Sequence, residues 1–204
     1  PYQAGAGTSH NMNVNEVIAN RANQILEEAG EEFRVHPNDH INMAQSTNDT
    51  IPTAIRLGCL MRLEELTDAI RALAKAFESK AESWKDCVKS GRTHLQDATP
   101  IRLGQEFEGF AGQIERSVQR LRGAESELAE VALGGTAVGT GVNTHPEFAG
   151  RVCVRLSAML GVEVHETSSH FQAQSTLDNI VAASGALETV AVSLMKISND
   201  IRWL

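Results

Sequence analysis

The residues best suited to chemistry lie in four short polar stretches. "GAGTSHNMN" (5–13) sets Thr8, Ser9, His10 and Asn11 after two glycines, and "HPNDHINMAQSTND" (36–49) carries His36, Asn38, Asp39, Ser46, Thr47 and Asn48. "SGRTHLQDATP" (90–100) holds Thr93 beside His94, and "GGTAVGTGVNTHP" (134–146) is a glycine-rich run. All four are rich in hydroxyls and amides and lack lysine. Each also lies next to the start of a helical pattern, where unpaired backbone N–H groups and the helix dipole favour an anion. Neutral donors at such places suit recognition of a small anion.

A second reading stands beside this one. Ser, Thr, Asn and Asp before helices are frequent N-caps, so "STND" before Pro52 can simply cap its own helix. His94 taken alone fits a hydrogen-bonded structural histidine. His10, His145, His165 and His170 show no partner spacing and read as structural. "GGTAVGTG" reads as a shaped loop, because glycine tolerates positive φ and close backbone approach. Four such segments in one chain exceed what capping requires, which favours side chains that face a ligand.

Helices must position these stretches. From Ile55 to Phe77 the apolar residues Ile55, Cys59, Leu63, Leu66, Ile70, Leu73 and Phe77 recur at helical spacing. Pro52 suits the first turn of that helix, with Asn48, Asp49 or Thr50 as its cap. A second run joins Phe107, Ala111, Ile114, Val118, Leu121, Leu128 and Val131, missing one beat near Ala124, with Pro100 marking its approach. A third joins Leu177, Ile180, Leu187, Ala191, Leu194, Ile197, Ile201 and Leu204. Shorter helices are expected at about Asn13–Glu28 and Pro146–Leu160. Strand signals are nearly absent, "GVEVHE" being too short to carry a sheet, and the Thr93–His94 turn is expected to begin a helix. The expected fold is all-α, a long up-and-down helical bundle. Near-heptad spacing sustained over such lengths suits helices that also pack against other subunits, a monomeric bundle being the alternative.

Composition narrows the partners. A chain of 204 residues supports one or two domains, and aromatics at 4% suit tightly packed helices. A net charge of −8, with both signs mixed along the helices, disfavours nucleic acid and anionic membranes as partners. Cys59, Cys87 and Cys153 are odd in number and scattered, and read as packed thiols of a reducing, cytoplasmic compartment. CxxC, HExxH and P-loop motifs are missing, so metal or nucleotide chemistry has no local support and no metal is expected. No signal peptide or membrane span is recognised. The start at "PYQAGAGTSH" and the end at "NDIRWL" lead to the expectation that residues 1–204 are the central helical domain of a longer protein.

The polar stretches, in their order, resemble the fumarase/aspartase superfamily of lyases. The resemblance covers nearly all of the chain through "GAGTSHNMNVNEVIANRA", "HPNDHINMAQSTNDTIPTA", "GRTHLQDATPIRLGQEF", "LGGTAVGTGVNTHPEF" and "SLMKISNDIRWL". It implies a helical bundle assembling as a homotetramer, with active sites shared between subunits, and cofactor-free addition to or elimination towards fumarate. Matching family positions, it implies Thr93 and His94 as catalytic residues and Thr8, Ser46, Thr47 and Asn48 as substrate-binding residues. His36, Asn38 and Asp39 match a second dicarboxylate site described for fumarases. The family's mobile loop, Gly-Ser-Ser-x-Met-Pro-x-Lys-x-Asn, has no counterpart in this sequence, so the 204-residue chain alone is expected to be inactive.

The implied chemistry suits these residue types. Eliminating water or ammonia from a 2-substituted succinate removes a proton beside a carboxylate, and the carbanion persists only as a dianionic aci-carboxylate. Neutral donors stabilise that charge without a tight ground-state ion pair. The hydroxyls of Thr8, Ser46, Thr47 and Thr93 and the amide of Asn48 are such donors, and His94 suits an electrostatic and proton-relay role.

Substrate preference divides the motifs. "HPND", "THLQDATP", "LGGTAVGTG", "NTHPEF" and "NDIRWL" look like the cofactor-free, class II fumarases that hydrate fumarate to L-malate. "GAGTS" and "STND" look like aspartases, since fumarases usually carry Gly-Ser-Gly-Thr and Ser-Ser-Asn-Asp there. Fumarate hydration is the expectation, aspartate ammonia-lyase the runner-up, and a non-catalytic assembly module a further alternative.

Overall fold

The computed structural model describes residues 5–204. Helices α1 (Thr8–Glu28), α2 (Thr47–Ser83), α3 (Leu103–Leu128), α4 (Phe148–Leu160), α5 (His170–Ser175) and α6 (Asp178–Trp203) carry the expected helical bundle. Strands β1 (Val88–Thr93) and β2 (Gln96–Arg102) form an antiparallel hairpin, and β3 (Glu130–Val131) and β4 (His165–Glu166) form a short parallel pair. The chain divides into two compact units, Pro1–Cys59 with Leu128–Asp178 and Leu60–Glu127 with Asn179–Leu204.

In the second unit the buried seam of α2 is Leu60, Leu63, Thr67, Ile70, Ala74 and Phe77. The sequence stripe chose Cys59, Leu66 and Leu73 where Leu60, Thr67 and Ala74 are buried. Thr67 escapes a hydropathy reading because its hydroxyl donates to Glu125 Oε1 at 3.0 Å, which satisfies a polar group inside the seam. The α3 stripe is buried from Phe107 to Leu128, with Ala124 at its missing beat buried too, whereas Val131, the last residue of the expected run, lies beyond the helix on β3. Fully burying side chains such as Ile114 and Leu121 stabilises the unit by about 1.5–3 kcal/mol each.

Phe107 lies 6.0 Å from Phe77, 5.4 Å from Phe110 and 4.7 Å from Trp84, ring centre to ring centre. This aromatic knot pins the end of α2 to the start of α3 and so clamps the base of the hairpin between them. Leu103 N–H donates to the Cys87 carbonyl at 2.8 Å, and Gly104 N–H to that of Trp84 at 3.1 Å. The sequence predicts a turn leading directly into a helix here, with almost no strand. A hairpin forms instead, and apolar alternation could not announce it because nearly every one of its residues is exposed.

Helix α6 also departs from its stripe. Asn179, Ala183, Val190, Ser193 and Ile197 are buried, whereas Leu177, Leu187 and Ile201 are exposed. The helix is apolar around more than one face, so periodicity underdetermines which face packs. An 18-residue window within it has a mean hydropathy of 1.6 and is 22% buried, long and apolar enough by composition to cross a bilayer, though no span was recognised there.

In the first unit α1 begins at Thr8, five residues before the expected start. It buries Asn11, Asn15 and Ala19 while Val14, Val17 and Ile18 stay exposed. Helix α2 begins at Thr47, so Pro52 falls inside the helix, beyond the first turn expected for it. Lacking an N–H, Pro52 cannot donate to the carbonyl of Asn48. All three cysteines are free, but only Cys153 is buried; Cys59 is half-buried and Cys87 exposed, against the expectation of packed thiols.

Candidate active site

The site builds up from the turn before α2. Ser46 Oγ accepts the N–H of Asn48 at 3.2 Å, while Asp49 Oδ1 accepts the N–H of Ser46 at 2.9 Å. The two bonds together cap α2, Ser46 Oγ taking the N–H of its second residue while Asp49 reaches back to the Ser46 N–H. The cap uses a lone pair of Ser46 and leaves its O–H free to donate, so capping and ligand binding are compatible in one side chain. Thr47 repeats the pattern, its Oγ1 accepting from Asn11 Nδ2 at 3.1 Å. Asn48 is exposed, and one of its amide hydrogens goes to the Ala137 carbonyl at 2.7 Å, the other having no partner among the described residues.

Asn11 brings the first polar stretch to this turn. It also donates to Asn42 Oδ1 at 3.4 Å, which accepts from Asn15 Nδ2 at 3.1 Å. Thr8 opens α1 one turn before Asn11 and is exposed, behind Gly7, whose backbone abuts Ile51 of α2. Thr8, Ser46, Thr47 and Asn48 therefore belong to one neighbourhood of the first unit.

The glycine-rich stretch joins it through Asp49, which is 0% exposed. Its Oδ2 accepts the N–H groups of Gly134 at 3.2 Å and Thr136 at 2.8 Å. Gly134 and Thr136 hold φ of 105° and 57°, and their N–H groups converge on one oxygen as in an anion-binding nest. In the sequence Asp49 presents itself only as a cap; its spacing from Ser46 is the one available signal, and nothing local points to residues 134–136. Also buried in this unit is Arg56, whose Nη2 donates to the Ala173 carbonyl at 2.9 Å. Burial lowers its pKa, partly opposed by the charges of Glu130 and Asp178.

Asn38 and Asp39 lie in a π-helical turn, Pro37–Ile41, and His36 immediately precedes it. His36 Nδ1 accepts the N–H of Asp39 at 3.2 Å and caps that turn. The stretch is tied to α1 at Asn23, which exchanges two hydrogen bonds with Val35. Val35, just before this turn, meets Asn23, while Asn42, just after it, meets Asn11 and Asn15, so the turn runs alongside α1.

Thr93 and His94 belong to the second unit, at the hairpin tip. Thr93 pairs with Gln96, and the two residues between them, His94 and Leu95, hold φ of 49° and 62°. That is the two-residue turn with both central residues left-handed, for which Asn-Gly is the favoured pair. Both side chains are exposed, and neither Thr93 nor His94 makes a side-chain hydrogen bond among the described residues. Gly91 shapes the approach. The ladder slips there, and a Cβ on Gly91 would stand 2.7 Å from the Thr99 carbonyl oxygen. Backbone strain at an exposed Thr-His tip suits presentation of those side chains outward.

A protein-family model described as a lyase matches residues 1–204. The chain is 50% identical over its full length to a class II fumarate hydratase of Neisseria meningitidis, covering 44% of that protein. It is 48% identical to one of Nitrosomonas europaea with the same coverage. Among solved structures, a recombinant class II fumarase from Schistosoma mansoni superposes with a TM-score of 0.90 at 34% identity, over 98% of this chain and 45% of that one. A structure described as fumarate lyase:delta crystallin from Brucella melitensis, bound to cobalt, gives 0.87 at 46% identity, over 98% and 44%. The chain thus spans less than half the length of these relatives.

Proposed function

This chain belongs to the lyase family across its whole length, and from that premise we propose that the protein containing it hydrates fumarate reversibly to L-malate. The observation that carries the reading is the set of neutral donors around the start of α2. Ser46 and Thr47 spend acceptor lone pairs on the fold and Asn48 spends one of two amide hydrogens, so each keeps a donor for a carboxylate. Thr8 adds a further exposed hydroxyl in the same unit. Such donors gain most when the substrate carboxylate takes up the carbanion charge.

Thr93 and His94 serve as the catalytic pair, His94 acting by electrostatics and proton relay. His36, Asn38 and Asp39 form a second dicarboxylate site. The reaction uses no cofactor and no metal, and the missing serine loop leaves the 204-residue chain inactive alone. The working assembly is a cytoplasmic homotetramer with shared sites, supported by apolar side chains that this chain leaves uncovered, including Val17, Val181, Val192 and Met195. No nucleic acid or membrane takes part.

Aspartate ammonia-lyase is the second reading, favoured by Ala6 and Thr47, where fumarases usually place serines. Offering the full-length protein L-malate and L-aspartate while following fumarate absorbance decides between them. Turnover of malate alone is expected; turnover of aspartate alone overturns the first reading in favour of the second.

A further inference from the structure

We propose that Asp49 is a positioning residue that aims the Asn48 amide by gripping the Gly134–Thr136 nest. The inference rests on the reading that Asn48 binds substrate. Asp49 divides its two oxygens between distant parts of the chain. Oδ1 takes the Ser46 N–H at 2.9 Å and the Thr50 hydroxyl at 3.4 Å, both from the start of α2. Oδ2 takes the N–H groups of Gly134 and Thr136, at 3.2 and 2.8 Å, from the glycine-rich loop. The residue after Thr136 is Ala137, whose carbonyl receives the Asn48 amide at 2.7 Å. A closed circuit results. Asp49 holds the nest, the nest places the Ala137 carbonyl, and that carbonyl sets the plane of the side chain next to Asp49 itself.

Two features make the circuit stiff. The carboxylate is 0% exposed, so its bonds are not shared with solvent. Thr136, with φ of 57°, stays in a costly conformation that the grip of Asp49 helps to hold. By filling the nest, Asp49 also denies it to a substrate carboxylate, which is left to the neutral donors of Ser46, Thr47 and Asn48. Gln174 supports the loop from its other side, its Nε2 donating to the Thr136 carbonyl at 2.7 Å.

A double-mutant cycle on the full-length protein tests this, with kcat and KM measured for L-malate in wild type, Asp49→Asn, Asn48→Ala and the double variant. Asp49→Asn keeps the shape but supplies one acceptor oxygen where two served. It is expected to lower kcat roughly a hundredfold, the scale of an ångström's misplacement, with KM changed less than about threefold. In the Asn48→Ala background the same change is expected to cost less than about threefold, because the group being aimed is already gone. A purely structural Asp49 would multiply the two losses, and that result overturns the proposal. Should Asp49→Asn not fold, Asp49→Glu, which keeps both oxygens displaced by one methylene, enters the same cycle with the same criterion. Wild-type protein that turns over neither malate nor aspartate overturns the functional reading and this inference together; active wild type with multiplicative losses overturns this inference alone.

Discussion

The Asn48 amide donates to the Ala137 carbonyl at 2.7 Å across 89 positions of sequence, joining the first turn of α2 to the glycine-rich loop. This contact stabilises the loop by about 1 kcal/mol. In full-length protein Asn48→Ala is expected to lower kcat by roughly 10²–10³, the cost of losing one preorganised donor. Malate turnover beside a urea titration checks it. A kcat within a few-fold of wild type would make Asn48 only a structural tie.

His94 sits at φ of 49°, a left-handed conformation that Asn adopts readily. His94→Asn is therefore expected to leave stability unchanged or raise it by about 0.5 kcal/mol, while turnover falls at least about a hundredfold through loss of proton relay. Thermal melting and malate kinetics measured together separate the two effects. Retained turnover removes His94 from the catalytic pair.

Ser46 carries a capping role and a proposed donor role in one hydroxyl. Ser46→Asp caps about as well as serine but removes the O–H and adds a negative charge. Stability within about 0.5 kcal/mol of wild type and a KM raised at least about tenfold are expected. Ser46→Ala is expected to lose about 1 kcal/mol as well. An unchanged KM in Ser46→Asp would leave the residue a cap and nothing more.

Cys153 lies buried on α4, and burial, followed by the charge of Glu166, raises its pKa above 9.0. Below that value thiol is protonated in folded and unfolded chains alike, and it adds no pH dependence. Above it, the unfolded chain loses the proton first and binds fewer protons than the folded one, so stability falls as pH rises, by at most about 1.4 kcal/mol per pH unit. Urea midpoints at pH 7.5 and pH 10 are expected to drop further in wild type than in Cys153→Ala. Equal drops in both proteins would remove Cys153 as a source of alkaline sensitivity.

The sequence by itself determined what is local. Periodicity placed the long helices, and the α3 stripe from Phe107 to Leu128 lies on the buried face, because one strongly amphipathic helix leaves no choice of face; Val131, the last residue of that run, is buried on β3 instead. The "STND" run already marked a cap before α2, although Ser46 fills it where Asn48, Asp49 or Thr50 was expected, and the hydroxyl-amide composition of the stretches already offered the candidate donors. Tertiary structure decided the rest. The face α6 buries could not be read from a helix apolar on several sides. The hairpin that lifts Thr93 and His94 could not be read from strands exposed on both faces. Asp49 gained its second role only by meeting Gly134 and Thr136, 85 and 87 positions away. A carboxylate with that partner is indistinguishable, in sequence, from one that merely caps a helix, because the bonds that tell them apart form only when the chain has brought both loops together.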